Sequence, residues 1–495
     1  MSIQAPSHAK VKEAFRKGEG AVIALFDEFG GQLTELAQQL QKQSEIIQEL
    51  QARLSKNSQN NSKPPSSDGY GKQNRTTSLR PKEEKPNGGQ LGHTGETLKS
   101  VESPDEIETH EQVCCKECQA SLKDVDIFSV EERQVFDIPA MKIVVTAHQA
   151  TIKICPECQT ENKGAFPEDV VRPVQYGNGV KTVASHLNNE HFTPVACTAQ
   201  VILDLYGQAP SEATILKANK QLNQHIQPAR KAVKEMLHQE SVINADETGL
   251  RVDGKLHWLH SVSTDKLTDY EVHPKRRKKT MDAAGVLDGY QGKLVHDHWK
   301  PYFVYEDSEH IACNAHHMRE LKYIENQYQQ PWAGETATLL IEIKNAVDDV
   351  KHEQKQLNKK LLLLFKKRYD MLISKGLKQN PYIVAEVIEG QPKKRGQPKQ
   401  TPDHNLLARL RDIKSGTLAF MYDFSVPFDN NLAERDVRMV KVKQKISGGF
   451  RTQEGAKQFA SIRGYISTTR KNSVTVFSAI QDAFSGNPHI PAPQP

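Results

Sequence analysis

The clearest hydrophobic pattern of the chain is a seven-residue repeat near the N-terminus. The first apolar position of each heptad is Phe26, Leu33, Leu40, Ile47 or Leu54, and the second holds Phe29, Leu36 and Leu50, with the polar Gln43 among them. Such a repeat is typical of a coiled coil. We predict a coiled coil over residues 20–55 through which the chain self-associates. An amphipathic helix packed on its own domain is the alternative.

The next segment, residues 56–100, changes to a polar composition. It is rich in Ser, Asn, Pro, Gly and Lys and contains almost no large apolar residues. A segment of this kind cannot bury enough apolar surface to fold alone. We therefore predict a flexible linker, whose Lys and Arg side chains could touch phosphates.

Residues 101–173 combine strand-like alternation with two Cys-x-x-Cys pairs. The pairs are Cys115 with Cys118 and Cys155 with Cys158, and runs such as VFDIPAMKIVVTAHQATIKI separate them. Two thiolate pairs on turns beside strands can close a tetrahedral zinc site. We predict a zinc-binding module in which Cys114 could replace Cys115. Unrelated buried cysteines are the alternative.

Residues 174–240 have the apolar spacing of helices. Two of these helices would flank a turn from Gly207 to Pro210, with Ser211 as the N-cap of the second. A helix-turn-helix would place the second helix in a DNA groove. A plain helical hairpin has the same spacing, so DNA binding here is one of two interpretations.

From residue 241 the pattern changes to short β-rich runs. The first three runs follow one another closely enough to pair as antiparallel strands, and the fourth, GKLVHD, ends in an acidic residue. Asp246 therefore lies on or at the end of the first strand, and Asp297 at the end of the fourth. Carboxylates brought to one sheet edge in this way need a cation.

A helix capped by Asp429 or Asn430 is predicted to carry Glu434 in its first turns. It is followed by a basic surface, and a second basic run lies earlier in the chain. The predicted phosphate-contacting residues are Arg435, Arg438, Lys441, Lys443, Lys445 and Arg451, together with Lys275, Arg276, Arg277, Lys278 and Lys279. This clustering matters because the formal net charge of +5 is small for 495 residues.

The chain shows no stretch of 18 or more apolar residues and no apolar signal-peptide core at its start. We expect a cytoplasmic protein that does not bind a membrane.

Six motifs occur in a distinctive order: SKNSQNNSKPPSSD, GGQLGHTGETL, NADETGLRV, HDHWKPYF, CNAHHMRELKYI and NNLAERDVRMVKVKQKISGGFRT. In this order they resemble transposases of the insertion sequence sixty-six family, which are bacterial enzymes of the DDE (Asp-Asp-Glu) type. The resemblance covers nearly the whole chain.

The resemblance implies a multidomain α+β protein with an RNase H-like α/β catalytic core over residues 241–470. By the matching motifs, Asp246, Asp297 and Glu434 are the catalytic acids, and they would hold Mg (or Mn). The two intervals are 297 − 246 = 51 and 434 − 297 = 137 positions. The longer interval predicts a helical insertion at about 320–425, and a C-terminal tail would follow at 471–495.

The implied activity is cleavage of transposon ends and joining of the 3′-OH to target DNA by two-metal phosphoryl transfer. Its partners would be double-stranded DNA, which would associate the protein with the nucleoid, and possible accessory transposition proteins. A catalytically inactive DNA-binding regulator and a structure-specific nuclease are the alternatives.

Glu247 and Asp253 compete with Asp246 as the first catalytic acid, and Asp429 competes with Glu434 as the third. Cys313, His316 and His317 have metal-like spacing, but we expect a structural role because no fourth ligand is evident.

Overall fold

The structure is a computed structural model of the 495-residue chain. It describes residues 5–54, 98–139, 141–276, 281–282, 285–384 and 398–492. Nearly all of the predicted linker therefore lies outside the described residues, as do Arg277, Lys278 and Lys279 of the basic run. The chain divides into two compact units, one of Met1–Gln73, Val171–Val201 and Pro210–Pro495, the other of Asn74–Val170 and Ile202–Ala209.

The N-terminal heptads form one long helix. α1 (His8–Lys17) ends at Gly18, whose φ of 97° is in the left-handed region that favours glycine, and α2 (Glu19–Leu54) follows for 36 residues. The first apolar position of each heptad is exposed along α2, with 76% of the Phe26 surface and 58% of Leu40 accessible. The helix agrees with the predicted pattern, while its pairing into a coiled coil stays a prediction.

The cysteine-rich segment, residues 101–170, contains less β structure than its alternation predicts. Among its described residues the only strands are β1 (Ile152–Ile154) and β2 (Glu161–Lys163), which pair antiparallel. Apolar side chains of the alternating run, including Val135, Ile138 and Val145, are strongly exposed. Period-2 alternation stabilises a strand only when its apolar face is buried, and this segment offers no such face.

Four helices lead from this segment to the sheet: α3 (Asn178–Asn189), α4 (Val195–Tyr206), α5 (Glu212–His225) and α6 (Gln227–Gln239). The predicted cap is present, since the Ser211 side chain accepts a hydrogen bond from the Thr214 N–H at 3.3 Å. α5 buries Ile215 and Leu222 completely. Whether its exposed face enters a DNA groove stays a prediction.

Five strands form a mixed sheet: β3 (Val242–Val252), β4 (Lys255–Ser263), β5 (Thr268–His273), β6 (Lys293–His296) and β7 (Glu309–Ala312). Their spatial order is β5-β4-β3-β6-β7. β3, β4 and β5 pair antiparallel, which confirms that prediction. β6 runs parallel to β3, and β7 runs parallel to β6. The four-residue β7 was not predicted.

A block of helices separates β7 from the helix that carries Glu434: α7 (Asn314–Tyr328), α8 (Pro331–Val350), α9 (Lys359–Gln379), α10 (Pro402–Asp412) and α11 (Lys414–Tyr422). Its core contains Trp332, Leu339 and Leu407, all fully buried. At Gly416 a Cβ atom would lie 2.2 Å from the His310 carbonyl oxygen. The absence of a side chain there lets α11 approach β7.

Three helices close the chain: α12 (Asn431–Ser447), α13 (Gln453–Lys471) and α14 (Val476–Phe484). Leu250 and Leu259 of the sheet share one core with Val440 of α12 and Phe459 of α13. The residues expected to form a C-terminal tail include α14, whose Ala479 and Ile480 are fully buried because its apolar residues face α5 and α13. No helix in the described part of the chain is long and apolar enough to cross a membrane.

Candidate active site

Asp246 and Asp297 lie side by side at the junction of two parallel strands. Asp246 is within β3, and Asp297 directly follows β6. The register places Asn244 opposite Val295, and 244 + 2 = 246 while 295 + 2 = 297. Neighbouring strands lie about 4.8 Å apart, and residues two apart on a strand share a face. The two carboxyl groups therefore belong to one face of the sheet.

Glu434 is brought to these aspartates by a buried asparagine. Asn430 immediately precedes α12, and its side-chain amide donates to the Ala245 carbonyl at 2.8 Å. Its side-chain oxygen accepts from the Asn244 amide at 2.9 Å. These two bonds fix the start of α12 to β3 next to Asp246. Glu434 lies in the first turn of that helix.

A strained turn holds Asp297 at the end of β6. The carboxylate accepts a hydrogen bond from the Trp299 N–H at 3.0 Å. Between them, His298 has a φ of 69°, a left-handed conformation that costs energy for a residue with a side chain. Its ring stacks on His317 with centroids 4.4 Å apart. The stacking of His298 and the hydrogen bond from Trp299 thus hold the turn that follows the acid.

The three acids share an unfavourable electrostatic environment. Burial raises the pKa of Asp246, and the charges of Glu247, Asp297 and Glu434 raise it further. Burial also raises the pKa of Asp297 and of Glu434, although Arg319 opposes both shifts. Carboxylates that repel one another in a buried place are stabilised by a cation, and carboxylate oxygens are ligands that Mg²⁺ prefers.

One oxygen of this set has no hydrogen-bond partner. Glu434 Oε1 is buried, and no described donor forms a hydrogen bond with it. The Arg319 guanidinium lies 3.6 Å from this oxygen, and Arg438 donates to the other oxygen of the carboxylate at 3.1 Å. A buried carboxylate oxygen without a hydrogen-bond donor raises the free energy of the folded protein. A bound metal ion would offset that penalty. The donor set therefore fits a hard divalent cation.

The competing acids have other partners. Glu247 forms an ion pair with Arg276 and accepts the Tyr302 hydroxyl hydrogen at 2.8 Å. Burial and the neighbouring Asp297 charge raise the pKa of Glu247 to about 7. Asp253 lies between β3 and β4 in a left-handed turn, and Asp429 accepts from the Asn431 N–H at 3.0 Å.

Arg276, predicted to contact phosphate, is engaged inside the protein. Its guanidinium lies 4.6 Å from the centre of the Trp258 ring and 4.0 Å from that of Trp299. Together with the ion pair to Glu247, these contacts hold the Arg276 side chain in place. Its neighbour Lys275 is exposed.

The basic residues after Glu434 fall into two groups. Arg435, Arg438, Lys445 and Arg451 are exposed. Lys441 donates to the Gly249 carbonyl, and Lys443 lies 3.9 Å from the centre of the Phe450 ring. Burial lowers the pKa of Lys443 to about 8. Arg438 donates a hydrogen bond to Glu434 Oε2 at 3.1 Å, so among the four exposed side chains Arg435, Lys445 and Arg451 are the ones free of an ion pair with a proposed catalytic acid.

The two cysteine pairs lie on turns of matching geometry. The Cys115 N–H donates to Ala120 O and the Cys155 N–H to Thr160 O, both at 2.9 Å. The residue after each pair is left-handed, Gln119 with φ 61° and Gln159 with φ 58°. Hydrogen bonds lower the pKa of Cys115, and bonds from Thr160 lower that of Cys158 to about 7. Cys115, not Cys114, holds the position equivalent to Cys155.

Among the described residues, one set of three candidate ligand atoms lies within 4.8 Å of one another, and it consists of Cys313, His316 and Glu434. Neither the three acids nor the four module cysteines form so tight a group. The carboxylates of a two-metal site surround two ions, so they lie farther apart than the ligands of a single ion. The two cysteine turns would have to approach each other to share one zinc ion.

The chain was compared with known protein families. The model of the family described as Transposase IS66 family matches residues 174–458, which is 458 − 174 + 1 = 285 of the 495 residues. The chain belongs to the IS66 transposase family. Residues 8–99 of this IS66 transposase also match a family of unknown function (DUF6444). No curated protein was found to match the chain.

Family membership gives this IS66 transposase a role in transposition, and with it DNA binding and DNA processing. The matched region contains Asp246, Asp297 and Glu434. It excludes the cysteine-rich segment and α14.

Sequence reasoning did not identify Asn430 as a positioning residue. It was considered only as one of two capping candidates, whereas its side chain bonds to β3 and forms no cap hydrogen bond. The available signal was the pair of asparagines in FDNNLAER. A buried amide that needs partners on both of its atoms is a sign of a contact between elements.

Proposed function

We propose that this IS66 transposase cleaves the ends of its transposon and joins the freed 3′-OH to target DNA at Asp246, Asp297 and Glu434. The observation that carries the proposal is the shared register of Asp246 and Asp297 on parallel strands. The bonds of Asn430 to β3 supply the third acid from a separate helix.

The catalytic core that we propose is RNase H-like. The strand order β5-β4-β3-β6-β7, with three antiparallel strands followed by two parallel ones, supports this assignment. Helices α12 and α13 pack on the sheet, and the helices α7–α11 form the insertion between Asp297 and Glu434.

Asp246, Asp297 and Glu434 would hold two Mg²⁺ (or Mn²⁺) ions, which when bound activate the attacking oxygen and stabilise the leaving oxygen. The protein itself supplies position and charge. The left-handed turn at His298 fixes Asp297, and the amide of Asn430 fixes the helix of Glu434. Alignment of this kind contributes strongly to phosphoryl transfer.

DNA would lie across the exposed basic side chains that follow Glu434. Arg435, Arg438, Lys445 and Arg451 can neutralise phosphates without sequence preference. Lys275 would contribute from the second basic run, next to Arg276, whose charge acts on Asp297. Exposed positive charge in the segments next to the acids suits a substrate with a charged backbone.

Two further modules complete the proposal. The matched turns of Cys115–Cys118 and Cys155–Cys158 support a zinc site, since Cys thiolate is a ligand that zinc favours. The exposed heptad residues of α2 support self-association as a coiled coil. A self-associated enzyme could hold two transposon ends together.

The test is an assay of the full chain with Mg²⁺ and DNA that carries the ends flanking its gene. Glu434→Gln and Asp297→Asn should each abolish cleavage and joining, and Asp253→Asn, an acid in a distant turn, should retain both. Cleavage without joining would indicate a structure-specific nuclease. Binding without either reaction would indicate a regulator.

A further inference from the structure

Three potential ligands of a softer metal meet beside the proposed catalytic acids. The sulfur of Cys313, a ring nitrogen of His316 and a carboxylate oxygen of Glu434 lie within 4.8 Å of one another. Cys313 directly precedes α7, and His316 is in the first turn of that helix. Residues three apart at a helix start face the same side, so both can reach one ion.

Two of these ligand atoms are buried without hydrogen-bond partners. They are His316 Nδ1 and Glu434 Oε1, which lie 3.9 Å apart. An imidazole nitrogen and a carboxylate oxygen are both able to coordinate metal. Two such atoms that face each other in a buried place indicate a missing partner.

Cys313 adds a soft donor to this pair. It is completely buried, and its sulfur accepts the Asn430 N–H at 3.2 Å. The mechanism proposed above makes no use of the thiol. Thiolate selects zinc and similar ions over magnesium, whereas a site for Mg²⁺ alone would contain only oxygen donors.

We propose that Cys313, His316 and Glu434 form a binding site for a zinc-like divalent ion, separate from the cysteine-rich segment. Three protein ligands leave a fourth tetrahedral position for water, as in open zinc sites. Binding converts the thiol to a thiolate and releases its proton to solvent. The Arg319 guanidinium, 3.6 Å from Glu434 Oε1, has to move away from that oxygen when the ion binds.

The site would regulate the enzyme because it shares Glu434 with the catalytic acids. An ion held by Cys313 and His316 withdraws Glu434 from Asp246 and Asp297. Zinc would then inhibit DNA cleavage in competition with magnesium. This regulatory consequence rests on the proposed function, whereas binding of the ion does not.

The binding test is a count of zinc ions per full chain after removal of excess metal, repeated with Co²⁺ as a spectroscopic probe. Cys313→Ala should retain one ion fewer than the wild type and lose part of the thiolate-to-cobalt absorption. The difference of one ion is expected whether or not the module cysteines bind zinc. Cys197→Ala, which removes an exposed cysteine elsewhere, should change neither quantity.

Glu434→Gln provides a second variant in case the Cys313 substitution disturbs the buried core. It keeps the thiol and should weaken binding of the last ion at least about tenfold, because an amide is a poorer ligand than a carboxylate. Equal ion counts and equal cobalt spectra in the wild type and both variants would overturn the proposal. Loss of cleavage in Glu434→Gln bears only on the proposed function, so the two claims fail separately.

Discussion

The mixed sheet and the cysteine-rich segment arrange their candidate ligands in different ways. In the sheet, register, a strained turn and the Asn430 amide position the three acids through the protein's own bonds. In the cysteine-rich segment, each pair has a well-formed turn, but apolar side chains such as Val135 and Val145 remain exposed around it. We therefore propose that the protein's own bonds arrange the acids in the absence of an ion, whereas the cysteine-rich segment requires a bound zinc ion to order its surroundings.

Removal of zinc should have the largest effect, and only on the cysteine-rich segment. Structural zinc contributes about 10 kcal/mol or more to the folding of small metal modules. Chelation or Cys155→Ser should therefore make residues 101–170 sensitive to protease while the sheet stays resistant. Limited proteolysis with mass spectrometry measures both regions in one experiment. Equal protection of this segment with and without metal would contradict the comparison.

Asn430→Ala should have the next largest effect, at the acids. It removes two buried hydrogen bonds and leaves the Asn244 amide without its acceptor, at a cost of about 2–4 kcal/mol of unfolding free energy. Because the start of α12 would shift, we expect DNA cleavage to fall by about 100-fold. Chemical denaturation and cleavage rates measure the two effects. Asn431→Ala is the matched control, since Asn431 is exposed and its side-chain amide donates to the neighbouring Asp429 at 2.6 Å.

Asp246→Asn should stabilise the metal-free protein while it abolishes activity. The folded pKa of Asp246 is raised by burial and by Glu247, Asp297 and Glu434. A raised carboxyl pKa favours folding below the unfolded pKa of about 4, and that contribution is lost as pH rises through the folded value. The variant should gain on the order of 1 kcal/mol, more at pH 8 than at pH 5. Thermal denaturation without metal measures this, and a destabilised variant at pH 8 would contradict it.

The smallest effect should come from single exposed basic residues. Arg435→Ala and Arg451→Ala should each lower the salt dependence of DNA binding by about one unit of slope, because each removes one phosphate contact. Lys443→Ala should instead lower protein stability, since Lys443 packs on Phe450. Binding measured from 50 to 200 mM salt separates these cases. If both arginine variants keep the salt dependence of the wild type, DNA does not contact Arg435 or Arg451.

The strand or helix on which each acid lies could be predicted from sequence, because each assignment depends on one segment only. The alternating run around Asp246, the apolar run before Asp297 and the helix start before Glu434 each carry a local pattern. The register between β3 and β6 joins segments 51 positions apart, and no local pattern specifies it. The same holds for Asn430, whose two partners lie 185 and 186 positions away.

Other differences have local physical causes. The run VFDIPAMKIVVTAHQATIKI alternates as a strand should, yet its described apolar side chains are largely exposed, and among the described residues of the run only Ile152–Ile154 pairs. Arg276 lies in a basic run typical of a DNA contact, but its partners Trp258, Trp299 and Glu247 come from two strands and a turn. The four residues of β7 are too few to show a period.

The central claim is that the fold assembles Asp246, Asp297 and Glu434 into a site for a hard divalent cation. Anomalous diffraction from crystals soaked in Mn²⁺ tests it most directly. We predict a manganese peak between the Asp246 and Asp297 carboxylates that is absent from crystals of Asp297→Asn. Manganese bound elsewhere, with no peak between these two acids in the wild type, would contradict the account.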